Sequence, residues 1–149
     1  MTGVLGRPLR QSVSVRIRRY DPTPEAAGLA RRFVGNQLRR WDLDALVDDL
    51  KTITSELVTN AVREHSKMPD RPISVVIWRK PSSVTIGVAD DSPDDPVMQC
   101  DDIGLPEDGR GLWIVDTLTK GRWSTRSKLN GAPGRWVYAS LLIPCESGG

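Results

Sequence analysis

Histidine and cysteine are nearly absent from this chain: His65 is the only histidine, and Cys100 and Cys145 are the only cysteines, among 149 residues. The two cysteines have no metal-ligand spacing, so a zinc site, thiol catalysis and a disulfide scaffold are poorly supported. A long apolar run is also missing. No stretch approaches the ~20 residues that span a bilayer, and the opening MTGVLGRPLRQ has no signal-peptide apolar region. The expectation is therefore a cytoplasmic protein. Internal repeats are absent too. What remains is 38% hydrophobic and 27% charged, the balance of a soluble globular chain. This length makes one domain that buries roughly two-thirds of its unfolded surface. Residues 12–143 are expected to form it, with loosely held segments at 1–11 and 144–149.

The stretch Leu43–His65 (LDALVDDLKTITSELVTNAVREH) organises the rest. Leu43, Leu46, Val47, Leu50, Ile53, Leu57, Val58 and Ala61 recur at three- and four-residue steps, which predicts a long helix with one apolar side. Asp42 is its N-cap candidate, and neither Gly nor Pro interrupts the sequence until Pro69. Glu56 and Asn60 lie one turn apart at the edge of the apolar stripe, so both side chains can reach one small cavity. The ordinary alternative for such a pair is a solvated helix face.

Net charge is only +2 but is unevenly placed. Arg7, Arg10, Arg16, Arg18, Arg19, Arg31, Arg32, Arg39 and Arg40 precede the central helix, against Asp21 and Glu25 alone. The helix then carries Asp42, Asp44, Asp48, Asp49, Glu56 and Glu64. A basic front beside an acidic helix fits intramolecular complementarity or an acidic partner better than nucleic acid, because no aromatic-interleaved basic motif accompanies it.

In chain order, Ser12–Arg18 alternates as a strand with one buried face. Thr23 can cap a helix over Pro24–Trp41, with Pro24 at its first position. Ile73–Arg79 and Val84–Ala89 predict an antiparallel hairpin. Asp90–Gly109 is acidic, rich in turn residues and aperiodic, and a loop of about twenty residues is uncommon unless functional or disordered. A helix restarts at GRGLWIVDTLTK, with Gly109 and Gly111 at its entrance. Arg122–Lys128 and Arg135–Ile143 read as two closing strands. The result is an α/β (α+β) two-layer sandwich with a mostly antiparallel mixed sheet and helices on one face.

Three segments occur in one order: ELVTNAV at 56–62, VADDSPDDP at 88–96 and GRGLWIV at 109–115. Together they resemble the N box and the two glycine boxes of the GHKL ATPases, and most closely the small bacterial anti-sigma-factor serine kinases that share the Bergerat ATP-binding fold. The resemblance covers about residues 12–143. It implies ATP and Mg2+ as cofactors, with Asn60 as the metal ligand and Glu56 as the catalytic base toward an attacking hydroxyl. Magnesium suits such a role because it prefers oxygen ligands. Asp90 would accept the adenine amino group, and Ser92 and Leu112 would join the nucleotide-binding set. Gly109 and Gly111 would let backbone approach the phosphates, at the positive end of the helix that follows. Arg110 either neutralises phosphate charge or faces water.

The chain also departs from the pattern. The first glycine box normally reads D-x-G-x-G, whereas Asp90 is followed by Asp91, Ser92, Pro93 and Asp94. The surrounding acidic residues should weaken binding of an anionic nucleotide unless magnesium or Arg110 compensates. Trp136 occupies the place where the family usually has a Thr near the adenine. His65 reads as a helix-end residue rather than a phosphoacceptor, and without an upstream histidine-bearing helix pair a complete sensor histidine kinase is not expected.

The implied function is an anti-sigma-factor-type serine/threonine kinase. It would phosphorylate a small anti-anti-sigma partner and sequester a sigma factor; homodimerisation is implied by the resemblance, whereas membrane and direct nucleic-acid partners are not. The alternative is a non-catalytic partner-binding regulator on the same fold, with weak or no nucleotide binding.

Overall fold

The computed structural model describes residues 14–65, 71–90, 107–127 and 134–145. Five strands and three α-helices run in the order β1 (Ser14–Tyr20), α1 (Ala26–Arg40), α2 (Val47–His65), β2 (Ile73–Arg79), β3 (Ser83–Asp90), α3 (Glu107–Thr119), β4 (Trp123–Ser127) and β5 (Arg135–Leu142). The strands form one sheet in the order β1-β2-β3-β5-β4. Every pairing among them is antiparallel, so the mixed component expected from the sequence is not seen.

The helices lie against one side of the sheet, and α2 is the central one. Leu50, Ile53, Val58 and Ala61 are at most 1% exposed and Leu57 is 2% exposed. They pack with Ile73, Val75 and Ile77 of β2 and Val84, Ile86 and Val88 of β3 in a single core. Alternation is what aims those strand residues at the helices. Each fully buried aliphatic side chain stabilises by roughly 1.5–3 kcal/mol over its exposed state. Thr54 is the polar exception inside this face, and its hydroxyl donates to the Leu50 carbonyl at 2.7 Å. Helix α1 adds Ala26, Ala30, Val34 and Leu38 to the core. Its last turn carries Arg39 and Arg40 at the negative end of the helix dipole.

Local differences from the sequence reading have physical causes. Asp42 is not a cap: it adopts a left-handed backbone at φ 59° in the turn after α1, and its N–H donates to the Arg39 carbonyl. A short 3-10 turn, Asp44–Leu46, then feeds α2 without a side-chain cap. Thr23 does not cap α1 either. Its carbonyl accepts the Ala26 N–H at 3.0 Å, and Glu25 occupies the cap position. Strand β1 was expected to bury one face, yet Val15–Arg19 are exposed throughout because β1 is an edge strand over which no helix closes fully.

The far side of the sheet carries a small aromatic cluster. Trp136 and Tyr138 of β5 stack at 5.7 Å, and Trp78 of β2 meets Tyr138 edge-on at 5.5 Å. Gly87 lies between them on β3, opposite Tyr138 in register. A side-chain carbon there would come within 2.7 Å of the Tyr138 ring, so glycine is what lets the ring lie over the strand. No helix among the described residues is long and apolar enough to cross a membrane.

Candidate functional site

Helices α2 and α3 touch on the helix side of the sheet, and their contact brings two of the sequence boxes together. Glu56 and Asn60 are both half-buried and separated by one turn of α2. Gly111 of α3 is buried directly against them. A Cβ built on Gly111 would lie 3.3 Å from Glu56 Oε2, 3.7 Å from Glu56 Cβ and 3.8 Å from Asn60 Oδ1. Glycine therefore leaves a small recess beside one carboxylate oxygen and one carboxamide oxygen. Two hard oxygen donors next to bare backbone suit a cation that carries phosphate oxygens and waters.

The carboxamide is already engaged. Arg63, one turn beyond Asn60, donates through Nη1 to Asn60 Oδ1 at 3.1 Å. A carbonyl oxygen has two lone pairs, so one acceptor position remains for a metal ion or a water. The guanidinium also sets a positive charge beside the recess. Arg63 was missed in the sequence, although its three-residue offset from Asn60 is the spacing at which helical side chains meet. On the other flank of Glu56, Arg31 of α1 donates to the Ser55 hydroxyl at 2.9 Å and ties the two helices together. Residues 24 apart in sequence offer no local signal for such a contact.

The remaining expected site residues fall as follows. Asp90 is the last residue of β3 and pairs in register with Arg135. Gly109 and Arg110 lie in the first turn of α3, which starts at Glu107. That start corrects the expected entrance: Gly111 is in the second turn, beyond the first residues, whose N–H groups a helix leaves unpaired. The physical reason is that Glu107 and Asp108 favour the positive end of a helix, so the first turn forms before the glycines. Leu112 is 2% exposed and its side chain belongs to the core. Ser92 and the rest of the acidic segment 91–106 lie outside the described residues.

Trp136 does not line this side of the sheet. It pairs with Ala89, whereas Val137, Ala139 and Leu141 are the β5 residues that face the core. Its ring stacks on Tyr138 on the far side. Trp136, at the place where the family usually has a Thr near the adenine, is thus turned by the alternation of β5 to the side of the sheet away from α2 and α3.

No curated protein shows significant similarity to the chain. The family model of the histidine kinase-like ATPase domain matches residues 20–137, from the end of β1 into β5, and so takes in both Glu56–Asn60 and Gly109–Gly111. With the N box and second glycine box in contact and most of its length matched, the chain belongs to the histidine kinase-like ATPase domain family of the GHKL superfamily.

Proposed function

We propose that this chain is an ATP-dependent serine/threonine protein kinase of the anti-sigma-factor type, acting in the cytoplasm. Its substrate would be a small anti-anti-sigma partner, and in the alternative partner state it would sequester a sigma factor. The observation that carries this reading is the recess at Gly111, bounded by Glu56 Oε2 and Asn60 Oδ1.

Magnesium, when bound with ATP, supplies charge neutralisation on the phosphate oxygens. Asn60 would hold the ion through its carboxamide oxygen, and Glu56, one turn away, would accept the proton of the partner's Ser or Thr hydroxyl. General-base help of this kind is worth roughly 10²–10⁴-fold. The hydroxyl oxygen takes the γ-phosphoryl group and ADP leaves with the bridging oxygen. Asp90 at the end of β3 would accept the adenine amino group, and the α3 start would offer backbone N–H groups to the phosphates.

Calorimetric titration of the purified chain with ATP and magnesium tests the binding half of the proposal. Asp90→Ala should abolish binding, whereas Glu56→Gln should keep it and lose phosphotransfer to a co-purified Ser-bearing partner. Absence of ATP binding in the unmodified chain, with or without magnesium, overturns the kinase. One observation favours the second reading, a non-catalytic sequestering module: the first glycine box has lost both of its glycines, with Asp91, Ser92, Pro93 and Asp94 following Asp90. That reading predicts partner binding indifferent to ATP.

A further inference from the structure

We propose that the open edge of β1, with the arginine-lined cleft between β1 and α1, docks an extended acidic segment of a partner protein, which joins the sheet as an added strand. β1 pairs only with β2 among the described strands, so its second edge presents backbone donors and acceptors. Its side chains divide by register. Arg16 and Arg18 pair with Ile77 and Val75, whose side chains face the helices, and so share that side. Val15 and Ile17 lie on the other side and are 50% and 46% exposed.

Helix α1 supplies the opposite wall. Leu29, Arg32, Phe33 and Arg40 project from one side of it and, with Arg16 and Arg18, line a cleft of about 480 Å³. None of the ten residues lining this cleft is acidic. The Arg18 guanidinium lies over the Phe33 ring, 5.4 Å from its centroid, which fixes this exposed cation along the cleft. Charged residues on an edge strand ordinarily serve only to discourage aggregation. That function would be met by β1 alone and does not require Arg32 and Arg40 to converge from a separate helix.

Charge and shape select the occupant. A second copy of this chain, continuing the sheet with both helix layers on one side, would meet like charge. Centring such a pairing on Ile17 sets Arg16 against the copy's Arg18, and centring it on Arg16 or Arg18 sets an arginine against itself. Like charges directly opposite are destabilising. Single-stranded nucleic acid needs open rings for its bases. Here Phe33 is covered by Arg18 and Tyr20 is partly buried. An extended peptide with carboxylates at alternate positions meets every feature together. Its backbone pairs with β1, its carboxylates face the four guanidinium groups, and its intervening β-branched residues lie beside Val15 and Ile17. The cleft shares no residue with the Glu56, Asn60 and Gly111 recess, so its test stands or falls without a bound nucleotide.

The test uses the full chain and a fluorescent peptide of about eight alternating Glu and Val residues, the length of a typical strand. Saturable binding is expected, weakened about tenfold or more by Arg16→Glu with Arg18→Glu, and likewise by methylating the peptide nitrogens that would face β1. Arg32→Glu with Arg40→Glu provides an independent pair on a stable helix, with circular dichroism to confirm folding. The proposal is overturned if the peptide does not bind, if the methylated peptide binds equally well, or if the α1 pair leaves affinity unchanged. Displacement of the peptide by an oligothymidine of similar charge would assign the cleft to nucleic acid instead.

Discussion

Gly111 of α3 is pressed against Glu56 of α2 closely enough that a methyl group at Gly111 would stand 3.3 Å from the carboxylate oxygen Oε2. This spacing separates stability from activity. Glycine inside a helix costs about 1 kcal/mol relative to alanine, so Gly111→Ala should hold or raise the thermal midpoint. The carboxylate end is a flexible tip and can yield by a few tenths of an ångström. In yielding, it leaves the position from which it would accept a proton, and misplacement by about 1 Å can cost on the order of 10²-fold in rate. Gly111→Ala is therefore expected to melt no lower than the unmodified chain while phosphotransfer drops at least ~10-fold. An unchanged rate would remove Glu56 from the chemistry.

Arg63 gives a second prediction, because its bond to Asn60 Oδ1 fixes which way the carboxamide points. Without that donor the amide can turn its NH2 group toward the recess, and an NH2 group cannot ligate a cation. Arg63→Ala should thus weaken ATP affinity roughly fivefold in magnesium, the scale of one ordinary hydrogen bond at about 1 kcal/mol, with little change when a chelator is present. Comparing the two titrations separates orientation of Asn60 from plain loss of a phosphate contact, which would weaken both. Arg63 is exposed in this contact, and global stability should change by no more than about 0.5 kcal/mol.

Much of this arrangement was legible in the sequence because it is periodic or local. The apolar steps from Leu50 to Ala61 gave α2 its buried side, and the one-turn offset of Glu56 and Asn60 gave their common side. Strands β2 and β3 were readable from alternation. What was hidden depends on partners distant in sequence. Whether β1 buries a face depends on which helix covers it, and no local pattern encodes that. The side taken by Trp136 depends on the register of β5 against β3, where a shift of one residue reverses every side chain. Asp42 misled because the residues favoured at an N-cap also tolerate the left-handed backbone that it adopts.

Gly87 illustrates a long-range requirement with a measurable cost. Its missing side chain admits the Tyr138 ring, and an added carbon would sit 2.7 Å from ring atoms and 2.9 Å from Val76 Cγ1. Gly87→Ala should destabilise by about 1–3 kcal/mol, the usual range for overpacking. Urea denaturation checks the value. The same substitution made in a Tyr138→Ala background should cost less, and the difference between the two measures the coupling of the pair. Equal costs in both backgrounds would place the strain on Val76 instead.

Alkaline pH should destabilise the fold through its tyrosines. The chain has only two, Tyr20 and Tyr138. Burial raises both hydroxyl groups above the ordinary value of 10.0, opposed in part by Arg18 beside Tyr20 and by Arg126 beside Tyr138. In the unfolded chain these groups lose their protons near that ordinary value, while in the folded chain they retain them to higher pH. The unfolded state then binds fewer protons, so stability present below pH 10 is lost as pH rises through the folded values. Tyrosinate absorbance should accordingly appear at higher pH in the native protein than in urea. Thermal midpoints should fall across the same interval, and the fall should be smaller in a variant carrying Tyr20→Phe and Tyr138→Phe. A native absorbance curve that coincides with the unfolded one would show that both hydroxyls are fully hydrated, and the loss of stability would then have to come from other groups.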